Sequence, residues 1–530
     1  VLTYLGGAIA GIVNPINPLL DAEHIAGILR LTGAKVLVTL KAFPRTDIAQ
    51  KAAEAVRLAP SVETVIEVDL LRYVAGVKRL VVPFLRPKVS VQHHAKVLDF
   101  AREVAKQPTR LTFEDIQQDR IAAYFHTGGT TGLPKVAQHR YSGMIYNAWI
   151  GDRLLFKPED VQIVPLPLFH VFATIVCLGT SLSAGTHIVF PTPAGYRGEG
   201  VIANFWKLIE RYKVTFMITV PTAMAALVQR PVDADISTLR LAFCGSAPLP
   251  VELYKRFEAA AQVTICEGYG MTEATCLVSI NPPYGAKKIG SIGFPFPHSD
   301  VKILRHSESG PVACGVDEIG EICVDSPGVF EGSTYTETDK NHDLFHHDVY
   351  LRTGDLGRLD ADGYLWITGR AKDIIIRGGH NIDPDEIEDP LLAHEAVAFA
   401  AAIGQPDAYS GEVPCAYVEV VAGAEIDAET LRAFANGRIH ERAARIKHLE
   451  IVPELPKSAV GKVLKNELRK LAIGRVYDAA LQEAGLPVRV AEVVDDRKRG
   501  LVARLRPEGE VTDARVTEVL GTFTRPWDWA

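Results

Sequence analysis

The amino-acid sequence predicts an α/β fold, and three observations carry that expectation. Helical apolar periodicity leads into a β-branched run near the start: Asp21–Thr32 reads as a helix with an acidic first turn, followed by the strand-like Val36–Leu40. The same order returns at Asn204–Tyr212, read as a helix, and Val214–Val220, a strand stopped by Pro221. Composition agrees: 530 residues, 47% hydrophobic and 23% charged, make a globular chain long enough for more than one domain.

The chain opens with Val1–Leu20, which carries no charge. Asn14-Pro15-Ile16-Asn17-Pro18 interrupts it as a membrane span, and it lacks the basic start and small-residue cleavage site of a secretory signal. It is expected to be a core segment of a domain whose beginning is missing. Between Leu70 and Lys88 lies a basic, apolar stretch with Arg72, Lys78, Arg79, Arg86 and Lys88. It suits peripheral contact with a membrane surface or an anionic cofactor, a solvated amphipathic face being the more usual explanation. Ile121–Phe125 reads as a buried strand. Val161–Tyr196 is again uncharged, but Pro165, Pro167, His170, Gly179, Gly185 and His187 cut it into pieces, so a buried strand–helix–strand unit is expected. Leu239–Phe243 is a further strand. The clearest boundary falls near Gly369–Asp373, before a fresh strand at Ile374–Ile376. Beyond Lys470, Val476–Gly485 reads as a helix, Val488–Val494 and Leu501–Leu505 as strands, and Asp513–Leu520 as a helix. This appended αββα-like piece, 471–530, carries no chemical motif and is expected to pack against the domain before it.

Charge and cysteine usage narrow the class. A formal charge of −7 gives no electrostatic reason to expect nucleic acid. The seven cysteines show neither a Cys-x-x-Cys pair nor zinc spacing, which fits reduced, buried thiols in a cytoplasmic compartment.

Four segments carry chemistry. Thr127-Gly128-Gly129-Thr130-Thr131-Gly132-Leu133-Pro134-Lys135 gathers three glycines, three threonine hydroxyls and a lysine directly after a strand. Glycines let backbone N–H groups turn toward an anion, and hydroxyls and an ammonium add donors, so the loop suits a polyphosphate. It differs from the P-loop in that Leu133-Pro134 separates the last glycine from the lysine. Gly268-Tyr269-Gly270-Met271-Thr272-Glu273 offers an aromatic face, a hydroxyl for a phosphate and a carboxylate suited to Mg²⁺, though a cap and a dipole partner would use the same residues. Asp355, in Thr353-Gly354-Asp355, can accept both hydroxyls of a ribose, and Arg370 can reach ribose or phosphate oxygens; tight hairpin turns at Gly354 and Asp362-Gly363 are the plainer reading. Lys462 sits on a turn in Pro456-Lys-Ser-Ala-Val-Gly461-Lys462, where a lone lysine is ordinarily a solvated charge.

In this order, from about Val1 to Lys470, these segments resemble the adenylate-forming superfamily, which includes acyl-CoA synthetases, firefly luciferase and the adenylation domains of peptide synthetases. Fatty acyl-CoA synthetases are the nearest resemblance. It implies a large N-terminal domain (1–369) of layered α/β sheets plus a β-barrel-like part, without the family's N-terminal portion. A hinge (370–373) would join it to a small, mobile α+β C-terminal domain (374–470). Thr127, Gly128, Gly129, Thr130, Thr131, Gly132 and Lys135 would clasp the ATP phosphates. Gly245, Ser246, Ala247, Pro248, Tyr269 and Gly270 would form the adenine site. Thr272 would meet the α-phosphate, Glu273 hold Mg²⁺, Asp355 bind the ribose and Arg370 lie beside it. Lys462 would bridge the acid and the α-phosphate, Lys372 act as hinge, Gly379 line the thiol tunnel and His170 flank the acyl pocket. Gly128 departs from the family's usual serine, which removes one side-chain donor and leaves the backbone donors intact.

The implied reaction is that of an ATP-dependent acid–CoA ligase, with ATP, Mg²⁺ and CoA as cofactors and co-substrates. A carboxylic acid becomes an acyl-adenylate with release of pyrophosphate, then a CoA thioester. Leu168–Ala173 lacks the carboxylate that would hold an amino-acid substrate, so a medium- or long-chain fatty acid is expected. The alternatives are an acyl-AMP ligase that loads a carrier protein and a truncated, inactive member that only binds.

Overall fold

A computed structural model describes the chain except residues 115–116, 128–134, 308–309, 371–372, 379, 440, 460 and 497–498, and except the side chains at 306, 307, 370, 380 and 381. It divides into two units, one of Val1–Ile145, Leu168–Val171 and Phe330–Leu344, the other of Tyr146–Pro167, Phe172–Val329 and Phe345–Ala530.

In the first unit a parallel sheet of Val36–Leu40, Thr64–Val68 and Lys96–Asp99 packs against helices Ala22–Leu31 and Ile48–Leu58 through Ile25, Leu29, Val56 and Val65. The Asp21 carboxylate starts the first helix by accepting the His24 N–H at 2.9 Å. An antiparallel hairpin, Ile121–Thr127 with Lys135–Arg140, completes the unit's strands. The expectation that Val1–Leu20 is a core segment holds only for its second half, where Ile16 and Leu20 pack, partly buried, against the core of the parallel sheet. Its helix Leu2–Ala10 buries Ala8 alone among those residues. Polar contacts fix the end of that helix: Arg120 donates to the carbonyls of Ala8 and Gly11 at 2.7 Å each, satisfying groups a helix end leaves open.

The second unit is built on a seven-stranded sheet. Its order is Phe294–Pro295, Cys276–Ile280, Thr264–Met271, Leu241–Cys244, Phe216–Thr219, Val161–Ile163, His187–Val189. The last five run parallel, and the first two pair antiparallel. Phe216–Thr219 and Leu241–Cys244 are buried throughout, as strands covered on both faces must be, which explains why Thr219 is their one polar residue. Val161–Tyr196 forms the expected strand–helix–strand, with a buried π-helical turn from Phe172. A largely antiparallel six-stranded sheet follows between Asp300 and Arg370. Next comes a smaller sheet from Ile375–Arg377 to His448–Ile451, flanked by helices Asp385–Leu392 and Ala428–Asn436.

The appended segment differs in detail from the αββα reading. Its helix is the far half of Lys465–Glu483, and a third strand, Trp527–Trp529, pairs parallel with Gly500–Pro507. Leu468 and Ala472 of that helix enter one core with Tyr417 and Leu455, while Ile473, Tyr477 and Leu481 enter a second with Val488, Leu501 and Val516. One helix therefore belongs to both cores. Among the described residues, no helix is long and apolar enough to cross a membrane. All seven cysteines are free thiols.

The amino edge of the parallel strands is tied by charge. Asp160, Thr215 and Arg240 each stand one residue before a strand. The buried Asp160 carboxylate pairs with Arg240 and accepts the Thr215 hydroxyl at 2.7 Å and the Lys157 N–H at 2.8 Å. Burial raises its pKa, but Arg240 and these donors outweigh burial and hold it below the ordinary value. Arg240→Ala should cost about 3–5 kcal/mol by stranding this carboxylate, read as a lowered midpoint in urea denaturation.

Candidate functional site

The carboxyl edge of the same sheet carries the motifs. Phe216–Thr219, Leu241–Cys244 and the first half of Thr264–Met271 run parallel and in register, Thr219 beside Cys244 and Cys244 beside Glu267. The connections that leave the first two, starting at Val220 and Gly245, emerge beside the continuation of the third from Gly268. In open α/β sheets this edge is where ligands bind.

Gly245-Ser246-Ala247-Pro248 turns sharply there, with Ser246 in the left-handed region at φ 72°, a conformation most side chains avoid. What holds the turn is a residue the motifs did not single out. Glu267, only 5% exposed, accepts the Leu249 N–H at 2.8 Å and so pins the turn to the neighbouring strand. Burial pushes its pKa from 4.5 to about 8; the Leu249 N–H opposes the rise and the Asp389 charge adds to it.

Past Glu267 the strand continues into a hairpin. Thr264–Met271 pairs antiparallel with Cys276–Ile280 through the short turn Thr272–Ala274. The reason for Gly270 is close approach: a Cβ there would overlap the Cys276 carbonyl. The turn presents Thr272 and Glu273, both half-buried. Asn147 accepts the Leu277 N–H at 2.8 Å, and the Thr275 hydroxyl donates to the Gly328 carbonyl, so two further residues fix the hairpin.

Tyr269 donates its hydroxyl to the Asp355 carboxylate at 2.6 Å. Asp355 lies inside the strand Tyr350–Leu359, directly opposite Arg370 on Leu365–Arg370, and is 4% exposed. The hairpin-turn reading of Gly354 is therefore corrected: Gly354 is within a strand, while Asp362-Gly363 does lie in the turn, with Gly363 at φ 83°. The Arg370 side chain lies outside the described set, as do Lys372, Gly379 and the phosphate-loop residues Gly128, Gly129, Thr130, Thr131 and Gly132.

Lys462 reaches this edge from far along the chain. Its turn closes through the Ser458 N–H to the Lys462 carbonyl at 2.7 Å and the Gly461 N–H to the Ser458 carbonyl at 2.9 Å. Arg197 donates to the Ser458 carbonyl at 2.7 Å. Gly461, at φ 80°, abuts Thr222 so closely that a Cβ would overlap its hydroxyl. The lysine's turn is thus seated on the start of helix Pro221–Val228. Behind it, Lys465 pairs with Glu388 at 2.7 Å and Arg469 with Asp373 at 2.8 Å.

In the first unit, Thr127 and Lys135 are cross-strand partners at the open end of their hairpin, and the Lys135 ammonium lies 4.8 Å over the Tyr335 ring. His170 is half-buried there, next to Phe169, which stacks on His126 at 6.4 Å.

Chemically, the second unit's edge offers an aromatic face, a sequestered carboxylate acceptor, hydroxyl and carboxylate oxygens on one turn, and an ammonium on another. The oxygens of Thr272 and Glu273 are the hard donors a magnesium–phosphate group takes, and Asp355 is an acceptor fit for a diol.

Comparison with known proteins follows the same lines. The family model of the AMP-binding enzymes matches residues 1–333, and that of their C-terminal domain matches residues 386–462. The marinolic acid–CoA ligase of a Pseudoalteromonas species is 35% identical over 514 residues, covering 94% of this chain and 75% of the relative. The long-chain-fatty-acid–CoA ligase of Bacillus subtilis is 32% identical over 482 residues, covering 88% and 82%. Among solved structures, the anthranilate CoA ligase AuaEII in complex with anthranoyl-AMP superposes with a TM-score of 0.75 at 26% identity, covering 89% of this chain and 85% of that one. ATP-bound MatB from Rhodopseudomonas palustris gives 0.65 at 28% identity, covering 84% and 91%.

Because the folded pKa of Glu267 is raised, its contribution to stability is fully present at low pH and is lost as pH climbs from about 4.5 to about 8. Glu267→Gln keeps an acceptor for the Leu249 N–H and has no charge to desolvate. Its melting temperature should overtake that of the unsubstituted chain as pH rises through that window; parallel profiles would show that burial does not penalise Glu267.

Proposed function

Because this chain belongs to the AMP-binding enzyme family, an AMP-forming acid–CoA ligase family that uses ATP, Mg²⁺ and CoA, we propose that it activates a medium- or long-chain fatty acid. Its partners are small molecules: an acid, ATP and CoA. The fatty-acid reading is supported by relatives named long-chain-fatty-acid–CoA ligase from Bacillus subtilis and Salmonella typhimurium, at 32% and 31% identity. The apolar Phe172–Leu178 turn and the uncharged Leu168–Ala173 support it as well. Relatives named for marinolic acid and for sulfoacetate, at 35% and 34% identity, show how far the acid varies around one scaffold.

One observation carries the mechanism: the Lys462 turn is seated against Thr222, at the sheet edge from which Gly245 and Tyr269 also emerge. In our reading Tyr269 stacks on adenine above the Gly245–Pro248 turn, and Asp355 accepts the ribose hydroxyls. The loop Thr127–Lys135 supplies donors to the outer phosphates. Thr272 and Glu273 face the α-phosphate and the metal; Mg²⁺, when bound, offsets phosphate charge. An acid oxygen then bonds to the α-phosphorus as pyrophosphate leaves. Two anions must meet for that, and the Lys462 ammonium lowers their repulsion where charge develops. In the second step the CoA sulfur bonds to the acyl carbon, AMP departs with the electron pair of the broken C–O bond, and the thiol proton passes to solvent. Lys372 as hinge, Gly379 at the thiol path and His170 at the acyl pocket complete the proposal.

Pyrophosphate exchange across a panel of carboxylic acids tests the substrate: the highest rates should fall on medium or long fatty acids, and a maximum on short or charged acids would reject that class. Lys462→Ala should lower adenylate formation by about a hundredfold or more. The same variant should convert supplied acyl-adenylate to thioester near the normal rate, and equal damage to both steps would remove the assigned role. Glu273→Gln should shift the Mg²⁺ titration of the first step to higher concentration; an unmoved titration would take Glu273 out of the metal site.

A further inference from the structure

Helix Val77–Leu85 turns its apolar side outward. None of its residues is buried. At about 100° per residue, Leu80, Phe84, Val77, Val81 and Leu85 fall in one continuous arc. Phe84 is 88% exposed, Val77 75% and Leu80 72%. Just before the helix, Tyr73 is exposed too, with the Arg72 guanidinium 5.4 Å over its ring. A surface helix ordinarily points such an arc at the core, and a contiguous exposed apolar patch marks a site of contact.

The segment is presented by a clamp. Asp69 at its base accepts the Leu71 N–H at 2.9 Å and pairs with Arg86 at 2.6 and 2.9 Å, while Arg86 also donates to the Ala42 carbonyl at 3.2 Å. One carboxylate therefore holds both ends of the excursion to the edge of the unit's parallel sheet. Charge is equally one-sided. No acidic residue occurs from Leu70 through Ser90, whereas Arg72, Lys78, Arg79, Arg86 and Lys88 do, in a chain whose net charge is −7. Lys78 borders the apolar arc, and Lys78, Arg79 and Lys88 are exposed.

We propose that this helix docks peripherally on an anionic phospholipid surface, with Phe84 and Leu80 entering the headgroup–acyl boundary and Lys78 and Lys88 meeting lipid phosphates. The helix is far too short to span a bilayer, so it would lie on the surface. A fluid lipid interface accommodates side chains this exposed, and exposed cations in a segment with no acid from Leu70 through Ser90 match acidic headgroups. The inference requires no particular acid at the catalytic edge and stands apart from the substrate reading.

Co-sedimentation of the full chain with phosphatidylcholine vesicles, with and without phosphatidylglycerol, tests it. The unsubstituted chain should bind the anionic vesicles more strongly, and less so as salt is raised. Leu80→Ser with Phe84→Ser should lower the partition about tenfold, and Lys78→Glu with Lys88→Glu should abolish the preference for anionic lipid. All these side chains are exposed, so the variants should keep the circular dichroism spectrum and melting temperature of the parent. Failure of the parent to bind anionic vesicles overturns the proposal, as does undiminished binding by the Leu80/Phe84 variant. A chain that instead self-associates through this helix, losing its oligomer on those substitutions without binding lipid, overturns it as well.

Discussion

The hydrogen bond from the Tyr269 hydroxyl to the Asp355 carboxylate, 2.6 Å long, joins the seven-stranded sheet to the six-stranded one. A carboxylate that is almost fully sequestered must be matched by donors, or its charge becomes too costly to keep. A bond to an ionised acceptor contributes about 1.5–3 kcal/mol, so the pair has a definite geometry rather than a loose proximity. That constraint spreads. Tyr269 can reach Asp355 only if its hairpin closes as it does, with Gly270 against Cys276 and with Asn147 and Gly328 holding the far arm. The hairpin in turn sets where Thr272 and Glu273 stand.

The two edges of the parallel sheet divide stability from chemistry. At the amino edge, Asp160 is fully engaged by an arginine, a hydroxyl and a backbone N–H, the arrangement that makes a buried charge tolerable. At the carboxyl edge the chain accepts a feature that works against folding: Glu267 is buried deeply enough to resist ionisation. A carboxylate left short of charged partners on one side of a sheet, with a satisfied ion pair on the other, is the asymmetry expected when local rules are relaxed at a working surface.

Local signals made much of this legible. The cap at Asp21, the apolar runs at Val36–Leu40 and Leu241–Cys244, and the breakers within Val161–Tyr196 each depend on near neighbours, so periodicity and turn chemistry sufficed. Glu267, Asn147, Thr222 and Arg197 were invisible for the opposite reason: each acts on a residue that only the fold brings near. Gly461 was the one available clue to Thr222, as a glycine beside a lysine hints at a close approach. Periodicity also reports that a face is apolar without reporting where it points. The helices Leu2–Ala10 and Val77–Leu85 both carry apolar sequence, yet the first buries only Ala8 and the second nothing at all.

The position of Lys462 follows from how the next helix is shared. Leu468 and Ala472 lock Lys465–Glu483 into one core, and Ile473, Tyr477 and Leu481 lock it into another. The Lys465–Glu388 and Arg469–Asp373 pairs brace its first turns. Dense packing of this kind transmits displacement instead of absorbing it, so the lysine turn, the small sheet and the appended strands move together or not at all. Against the rest of the unit, the turn is held by a hydrogen bond from Arg197 to a backbone carbonyl and by the contact of Gly461 with Thr222, while behind it Arg256 donates to the Leu392 carbonyl at 3.2 Å and Phe399 packs against the core of the seven-stranded sheet. Such a hydrogen bond is worth only about 1 kcal/mol net, and a van der Waals contact less. In the proposed mechanism these are the contacts the lysine turn and the body behind it would break and remake between the two half-reactions.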